Sequence, residues 1–153
     1  MITAQFLIAV LVGIAAAVED VLRRRVSNWI PITAFLAGMT CLAFHRGWRG
    51  ALSAVGGALG GFIVFLIFYW MGGMGGGDVK LMAGLGAVVG VEHLLAAALW
   101  TAACGGVLAV LCLAGSALLN LRIRRGSSPE PARSIPYAPA IALGSWLALL
   151  PKL

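Results

Sequence analysis

The sequence predicts an all-α, polytopic membrane protein, and two observations carry that prediction. Of its 153 residues, 61% are hydrophobic and only 10% are charged, whereas a soluble domain carries about 25% charged residues. The apolar residues form long runs separated by short polar loops, and no stretch has the composition of a soluble domain. We therefore expect one integral-membrane domain, residues 1–153, with about six transmembrane helices.

Six apolar runs predict the spans. In chain order they cover residues 3–18, 29–44, 52–71, 79–91, 94–119 and 137–150. A span needs about 20 residues, so the first and fourth runs are short, and five spans is the alternative count. The glycine pattern Gly56-Gly57-x-x-Gly60-Gly61 in the third run contains two overlapping small-xxx-small registers, which favour close packing of helices.

The basic residues predict the orientation of these spans. When successive spans alternate in direction, eight of the eleven fall on one side: Arg23, Arg24, Arg25, Lys80, Arg122, Arg124, Arg125 and Arg133. The other side holds Arg46, Arg49 and Lys152. Positive residues collect on the cytoplasmic side, so the N-terminus is expected outside. The net charge of +6 therefore reflects membrane orientation, and we expect no nucleic-acid partner.

Cysteine and histidine give no sign of a metal site. Cys41, Cys104 and Cys112 all lie inside apolar runs without C-x-x-C spacing, which supports neither a zinc site nor a disulfide framework. His45 and His93 fall on the predicted outer side, so a buried Ser–His pair of the rhomboid type is not expected on the inner side. We expect no metal and no cofactor.

A glycine-rich stretch, GGMGGGDVK at residues 72–80, interrupts two apolar runs. Irregular backbone is tolerated at membrane depth only where it is buried in protein or lines a wet cavity. Asp78 in that setting is a functional-site hypothesis by default. The stretch is not a phosphate loop, because no Gly-Lys-Ser/Thr follows the glycines and an aspartate would repel phosphate.

Asp20 and Asp78 are predicted on the same, cytoplasmic side, and they can meet if the first and fourth spans pack together. Two carboxylates held close share a proton, so one can activate a water while the other protonates a peptide carbonyl. The alternative is that Asp20 only ends a helix and pairs with the neighbouring arginines. Glu19 competes for the same role, because adjacent residues point about 100° apart on a helix.

Three segments together resemble one protein family. Residues 75–78, Gly-Gly-Gly-Asp, fit the G-x-G-D pattern of intramembrane aspartyl proteases. Asp20 lies eight residues before Asn28 in DVLRRRVSNW, which is similar to the segment "Asp, basic run, Ile-Pro-Asn" of bacterial type IV prepilin peptidases. IPYAPAIALG, residues 135–144, resembles the Pro-aromatic-x-Pro start of the last helix in that family. The combination is specific, although G-x-G-D alone would be weak in a glycine-rich chain.

This resemblance implies an aspartyl endopeptidase of the bacterial inner membrane whose catalytic pair is Asp20 and Asp78. It would cut the basic leader from a pilin-like precursor, after a glycine, at the cytoplasmic face. The other residues expected to bind substrate or support the site are Asn28, Gly75, Gly77, Lys80 and Pro136. Lys80 has an alternative role as a snorkelling lysine that sets orientation.

Two departures from the family pattern refine the expectation. Ser27 stands where the family usually has proline. The region with paired C-x-x-C motifs found in long members does not occur in this sequence, so methyltransferase activity is not expected. The chain looks like the short form that serves tight-adherence (Tad, Flp-type) pili, with the lipid bilayer, a prepilin substrate and pilus or secretion assembly proteins as partners.

A second class of function remains open at this point. Paired carboxylates inside a membrane also carry ions, so a small transporter or proton-relay subunit is the alternative. A gene neighbourhood with a pilin-like substrate and a secretion ATPase favours the peptidase, and a transporter has no such requirement.

Overall fold

The computed structural model describes residues 2–23, 26–72, 74–122 and 137–150, and its regular secondary structure in these ranges is helical. The five α-helices are α1 (Ile2–Arg23), α2 (Trp29–Trp70), α3 (Gly76–Val89), α4 (Val91–Arg122) and α5 (Ala138–Leu149). The all-α prediction is therefore confirmed for this part of the chain.

Three of these helices are long and apolar enough to cross a membrane. The qualifying segments are Ala4–Arg23, Trp29–Trp70 and Val91–Cys112, which makes the chain a plausible membrane protein. Helix α3 has 14 residues and α5 has 12, fewer than the roughly 20 that a span needs. Helix length thus supports three spans, and the six-span count and the outside N-terminus stay predictions.

Helix α2 contains a reversal of the chain at Gly47. This residue has φ 60° and ψ −144° inside an otherwise helical segment of 42 residues, a conformation that glycine adopts without a side-chain clash. In the half of α2 before Gly47, Pro31 faces Gly84 and Gly38 faces Val88, so this half runs parallel to α3. In the half after Gly47, Gly57 faces Gly86 and Gly61 faces Met82, so the second half runs antiparallel to α3. The two predicted runs 29–44 and 52–71 are therefore the arms of one hairpin.

Helix α3 lies at the centre of the molecule. Ten of its 14 residues are buried, and it contacts each of the other four helices. The close approach of α3 to the first arm of α2 (the half before Gly47) depends on glycine, because a Cβ at Gly84 would lie 2.6 Å from the carbonyl oxygen of Pro31. A short apolar helix can be fully enclosed in this way because its neighbours, not lipid, cover it.

The two glycine registers of α2 pack against different helices. A Cβ at Gly57 would overlap the carbonyl oxygen of Gly86, and one at Gly61 would lie 2.8 Å from that of Met82, both in α3. Gly56 and Gly60 instead face Val91 and Leu94 of α4. The predicted close packing of this small-residue segment is confirmed, with one register for each neighbour.

Helices α1 and α5 pack antiparallel, which brings the end of α1 to the start of α5. The indole Nε1 of Trp146 donates a hydrogen bond to the carbonyl oxygen of Ala9 at 2.9 Å, and Gly13 contacts Ala142. At the other end of α1, the side-chain amide of Gln5 donates to the carbonyl oxygen of Val88 at 3.0 Å. Helix α1 is thus antiparallel to α3 as well.

Candidate active site

The end of α1 and the starts of α3 and α5 meet at one end of the molecule, which we call the site end. Val26, just after α1, packs against Gly77, where a Cβ would lie 3.5 Å from that of Val26. Tyr69, near the end of α2, packs against Gly76 in the same manner at 3.6 Å. Segments that are distant in sequence therefore surround the glycine turn.

Asp78 is the third residue of α3 and is held by its own turn. Its backbone N–H donates to the carbonyl oxygen of Gly75 at 3.1 Å, and its carboxylate Oδ2 accepts from the N–H of Gly75 at 3.2 Å. Gly75 precedes the helix in an extended conformation, φ −81° and ψ 151°. The N–H groups at a helix start lack intrahelical partners, so an acceptor here stabilises α3 and fixes the carboxylate.

Asp20 is held by a different helix start. Its Oδ2 accepts a hydrogen bond from the N–H of Ala138, the first residue of α5, at 3.2 Å. The contact joins residues 118 positions apart. The carboxylate therefore occupies the N-terminal end of α5, where donors are free and the helix dipole favours an acceptor.

The structure brings the two aspartates together in a protected place. Asp20 lies close enough to Asp78 for its charge to act on it, and each side chain is about 8% exposed. The ion pairs among the described residues are Arg23–Glu19 and Arg46–Glu92, which include neither aspartate. Two neighbouring carboxylates do not both ionise easily and favour holding one proton between them, which provides an acid and a base side by side.

Glu19 takes a separate position. Its carboxylate accepts the backbone N–H of Ser27 at 2.9 Å and the Ser27 hydroxyl at 2.6 Å. It also lies 3.7 Å from the guanidinium of Arg23. Glu19 therefore ties the loop after α1 back onto that helix, and of the two adjacent acids only Asp20 reaches α5.

The supporting residues predicted from the sequence divide into two groups. Gly75 and Gly77 form the turn around Asp78, as described above. Asn28 and Lys80 contact each other instead, with the ammonium of Lys80 donating to Oδ1 of Asn28 at 3.1 Å, and both side chains are exposed. They line a separate apolar groove between α2 and α3. Pro136 lies outside the described residues.

The sequence did not lead us to two features of the site. The backbone N–H of Ala138 could have been anticipated, because Pro139 marks an early helix position and the first N–H groups of any helix need an acceptor. Ser27 was treated only as a departure from a family pattern. Its hydroxyl is a partner of Glu19, and no local signal indicates that pairing across eight residues.

Comparison with known proteins assigns the chain. The sequence profile of the type IV leader peptidase family matches residues 7–110, which include both aspartates and the glycine turn. The chain belongs to this family. No solved structure gives a significant match.

Relatives in the leader peptidase family carry the name "Prepilin leader peptidase/N-methyltransferase". The protein of Bacillus subtilis (strain 168) is 34% identical over 140 residues, 90% of this chain and 51% of the relative. The protein of Aeromonas salmonicida (strain A449) is 36% identical over 104 residues, 63% of this chain and 32% of the relative. That of Pseudomonas aeruginosa is 33% identical over 117 residues, 71% and 37% respectively. The chain thus spans about half the length of the Bacillus protein and less than half the length of the other two relatives.

Proposed function

We propose that this chain is an aspartyl endopeptidase that removes the basic leader from pilin-like precursors, with Asp20 and Asp78 as the catalytic pair. The observation that carries the proposal is the pair itself: two buried carboxylates, each held at a helix start, that lie close enough for their charges to interact. Membership of the leader peptidase family supplies the class of substrate.

The chemistry needs one ionised and one protonated carboxylate. The ionised aspartate takes a proton from a water molecule, and the water oxygen attacks the carbonyl carbon of the scissile peptide. The protonated aspartate donates its proton to the carbonyl oxygen as that carbon becomes tetrahedral. The intermediate then collapses: the first aspartate gives its proton to the amide nitrogen as the C–N bond breaks, and the second aspartate takes the proton of a hydroxyl on the tetrahedral carbon. Between them the two carboxylates handle every proton in this sequence.

The glycines leave space for substrate backbone beside Asp78. Gly75 and Gly76 are exposed although Asp78 is buried, so an extended peptide can approach the carboxylate without meeting side chains. Asn28 and Lys80 form an exposed polar pair on the same helix end, and we propose that they contact the precursor. Pro136 is proposed to help fix the start of α5, which holds Asp20.

We also propose the membrane arrangement: six spans in the bacterial inner membrane, with the N-terminus outside and the site end facing the cytoplasm. The hairpin in α2 supports this count, because it divides the five helices into six helical segments of alternating direction. Arg23 and Lys80 lie at the site end, which agrees with positive residues on the cytoplasmic side. The precursors would be of the Flp type, with pilus or secretion assembly proteins as further partners.

The test is co-expression with tagged prepilins encoded in the same genome, scored by gel mobility and by N-terminal sequencing of the product. We expect Asp20→Asn and Asp78→Asn each to lower cleavage by about 10²–10⁴-fold, the range for loss of general acid–base catalysis. Both variants should insert in the membrane and melt like wild type in detergent, because Asn retains the shape and an acceptor oxygen.

Glu19→Gln is the matched control, since it neutralises the adjacent acid. It should cleave within about threefold of wild type, because a Gln oxygen still accepts one bond from Ser27. If Glu19→Gln removes cleavage while Asp20→Asn does not, the catalytic pair is wrongly assigned. If the wild-type chain cleaves no prepilin, the proposed function itself is wrong.

A further inference from the structure

A long apolar groove runs along the outside of the bundle between α2 and α4. Its volume is about 580 Å³. Val64, Phe65 and Phe68 of α2 form one wall. The α4 side carries Leu95 and Leu99, which are 73% and 63% exposed. We call this cavity the α2–α4 groove, and it is distinct from the groove beside Lys80.

The length of the groove matches a membrane-spanning helix. Its lining extends along α4 from Val91 to Ala109, which at 1.5 Å per residue is about 27 Å. The hydrocarbon core of a bilayer is about 30 Å thick, so an acyl chain in one leaflet reaches through only about half of that thickness. A single acyl chain from one leaflet would leave the groove half empty, whereas an apolar helix fills it.

The α4 side of the groove is built from small residues. Ala98, Ala102, Gly105 and Ala109 follow one another at helical spacing along the lining, and small residues allow two helix backbones to approach closely in a membrane. Gly105 faces the ring of Tyr137, whereas a Cβ at Gly106 would meet nothing within 4 Å. The face is therefore shaped for a helix but is not covered by one in the described part of the chain.

One polar side chain in this lining lacks a partner. Thr101 is 3% exposed, and its Oγ1 has no hydrogen-bond partner among the described residues. The hydroxyl packs against Gly144. A buried unpaired hydroxyl is costly, and the second χ1 rotamer of a helical Thr lets its Oγ1 bond to the carbonyl oxygen three or four residues back. Thr101 is therefore a polar position in the lining that does not itself require an outside partner.

The groove leads directly to the two aspartates. Met74, which lines its site end, lies in the turn that positions Asp78. Tyr137 also lines it and is followed by Ala138, whose N–H holds Asp20. A chain that leaves the groove at this end therefore reaches the two segments that hold Asp20 and Asp78.

We propose that the α2–α4 groove binds the apolar helix of the precursor and thereby places the peptide before that helix at Asp20 and Asp78. The inference rests on the proposed function and deepens it, because it names where the substrate docks and what is recognised: a stretch of about 18 apolar helical residues. Two parts of the molecule then recognise the precursor. The groove selects the length and shape of its apolar helix, and the polar site end binds its leader.

Two glycines of α4 provide a matched pair for the first test. Gly106 lines the groove and Gly115 does not, and a Cβ at either position meets nothing within 4 Å. Gly106→Leu places a bulky side chain in the groove from a Cβ position that is free of contacts, so KM for a model precursor should rise at least tenfold while kcat changes less than threefold. The model precursor has a basic leader, a glycine at the cut and a 20-residue apolar helix. Gly115→Leu should leave both constants as in wild type.

A second test does not depend on cleavage. Ala102 and Ala103 are adjacent and exposed, but only Ala102 lines the groove. In the Asp78→Asn chain, p-benzoylphenylalanine replacing Ala102 should crosslink to the precursor on irradiation, and the same residue replacing Ala103 should crosslink only to lipid. The adducts are separated by gel mobility and identified by mass spectrometry.

The outcomes separate the two proposals. If wild type cleaves the model precursor but Gly106→Leu leaves KM unchanged, or Gly115→Leu raises it equally, the groove is not the docking site. Crosslinks from position 102 to phospholipid alone, or to precursor equally from positions 102 and 103, also overturn it. If wild type cleaves no precursor, the proposed function fails, and precursor adducts from position 102 would then establish binding without peptidase activity.

Discussion

The two ends of helix α3 are both glycine turns, but their polar groups are used differently. At the end around Gly90, which we call the far end, the hydroxyl of Ser53 accepts the N–H of Val91 at 3.2 Å. Nearby, the guanidinium of Arg46 donates to Glu92 at 2.6 Å. In each of these two contacts a polar group has a complementary partner. At the site end, two carboxylates lie together with no cation beside them in the described residues.

This difference separates a structural end from the end where we propose the catalytic pair. A fold gains stability when an acid is paired with a base or placed at a helix start, and the far end uses both arrangements. Two buried acids near each other cost stability unless they share a proton. Each aspartate is also held by a backbone N–H from a helix start, which fixes where that proton can go. The site end therefore has the arrangement that the proposed catalytic pair requires.

The pH dependence of cleavage should show this difference most strongly. The mechanism needs one carboxylate of the pair ionised and the other protonated, so the rate should fall at least tenfold on both the acid and the alkaline side of an optimum. Because the far end takes no part, Glu92→Gln should keep the same two limbs. Initial rates on a tagged precursor across the acid, neutral and alkaline ranges measure the profile. A profile with a single limb would argue against a shared proton.

The sequence was sufficient to predict the helical class, the meeting of Asp20 with Asp78 and the glycine packing of α2; the catalytic role of the two aspartates stays a prediction. Helix bounds were less predictable, because the residue at which an apolar run stops need not be the residue at which the helix stops. The first run stops at Val18, whereas α1 continues to Arg23, since charged side chains near a helix end can reach water. The fourth run omits Gly76 and Gly77, which form the first turn of α3 although glycine is a poor helix former.

The reversal in α2 had a local signal, whereas the support for Asp20 had none. The polar residues 45–50 separate the predicted runs 29–44 and 52–71, and the chain reverses there at Gly47, although the residues on both sides of that glycine stay helical. The bond between Asp20 and Ala138 spans 118 positions, so it depends on how α1 and α5 pack. Contacts of this kind follow from tertiary structure and cannot be read from spacing.

Adjacent glycines in α2 provide the largest expected change in stability. A Cβ at Gly57 would overlap the carbonyl oxygen of Gly86, so Gly57→Ala forces two helices apart and should lower the free energy of unfolding by about 1–3 kcal/mol. At Gly56 the new Cβ would lie 3.6 Å from that of Val91, an ordinary contact, so Gly56→Ala should be neutral or stabilising. Thermal unfolding in detergent, followed by tryptophan fluorescence, compares them. Equal melting temperatures for the two variants would contradict the close packing of α2 on α3.

The hydroxyl of Ser53 should contribute to the stability of the fold but not to cleavage. Ser53→Ala leaves the N–H of Val91 without its acceptor and should cost about 1 kcal/mol, as for other helix-start residues, while cleavage stays within twofold of wild type. Thr40→Ala is the control, because the exposed Thr40 hydroxyl bonds only to the carbonyl oxygen of Leu36 in its own helix. That variant should change stability by less than about 0.5 kcal/mol. Loss of cleavage in Ser53→Ala would show that the far end influences the site.

The smallest effect is expected for the ion pair of the far end. The side chains of Arg46 and Glu92 are 34% and 51% exposed, so water screens their attraction, and exposed pairs contribute about 0–1 kcal/mol. A double-mutant cycle with Arg46→Ala, Glu92→Ala and the double variant isolates the coupling from the other contacts of each residue. A coupling above about 2 kcal/mol would mean that this pair holds the hairpin of α2 against α4 as strongly as core packing does. The far end would then be a principal determinant of the fold, and not simply a region whose polar groups are satisfied.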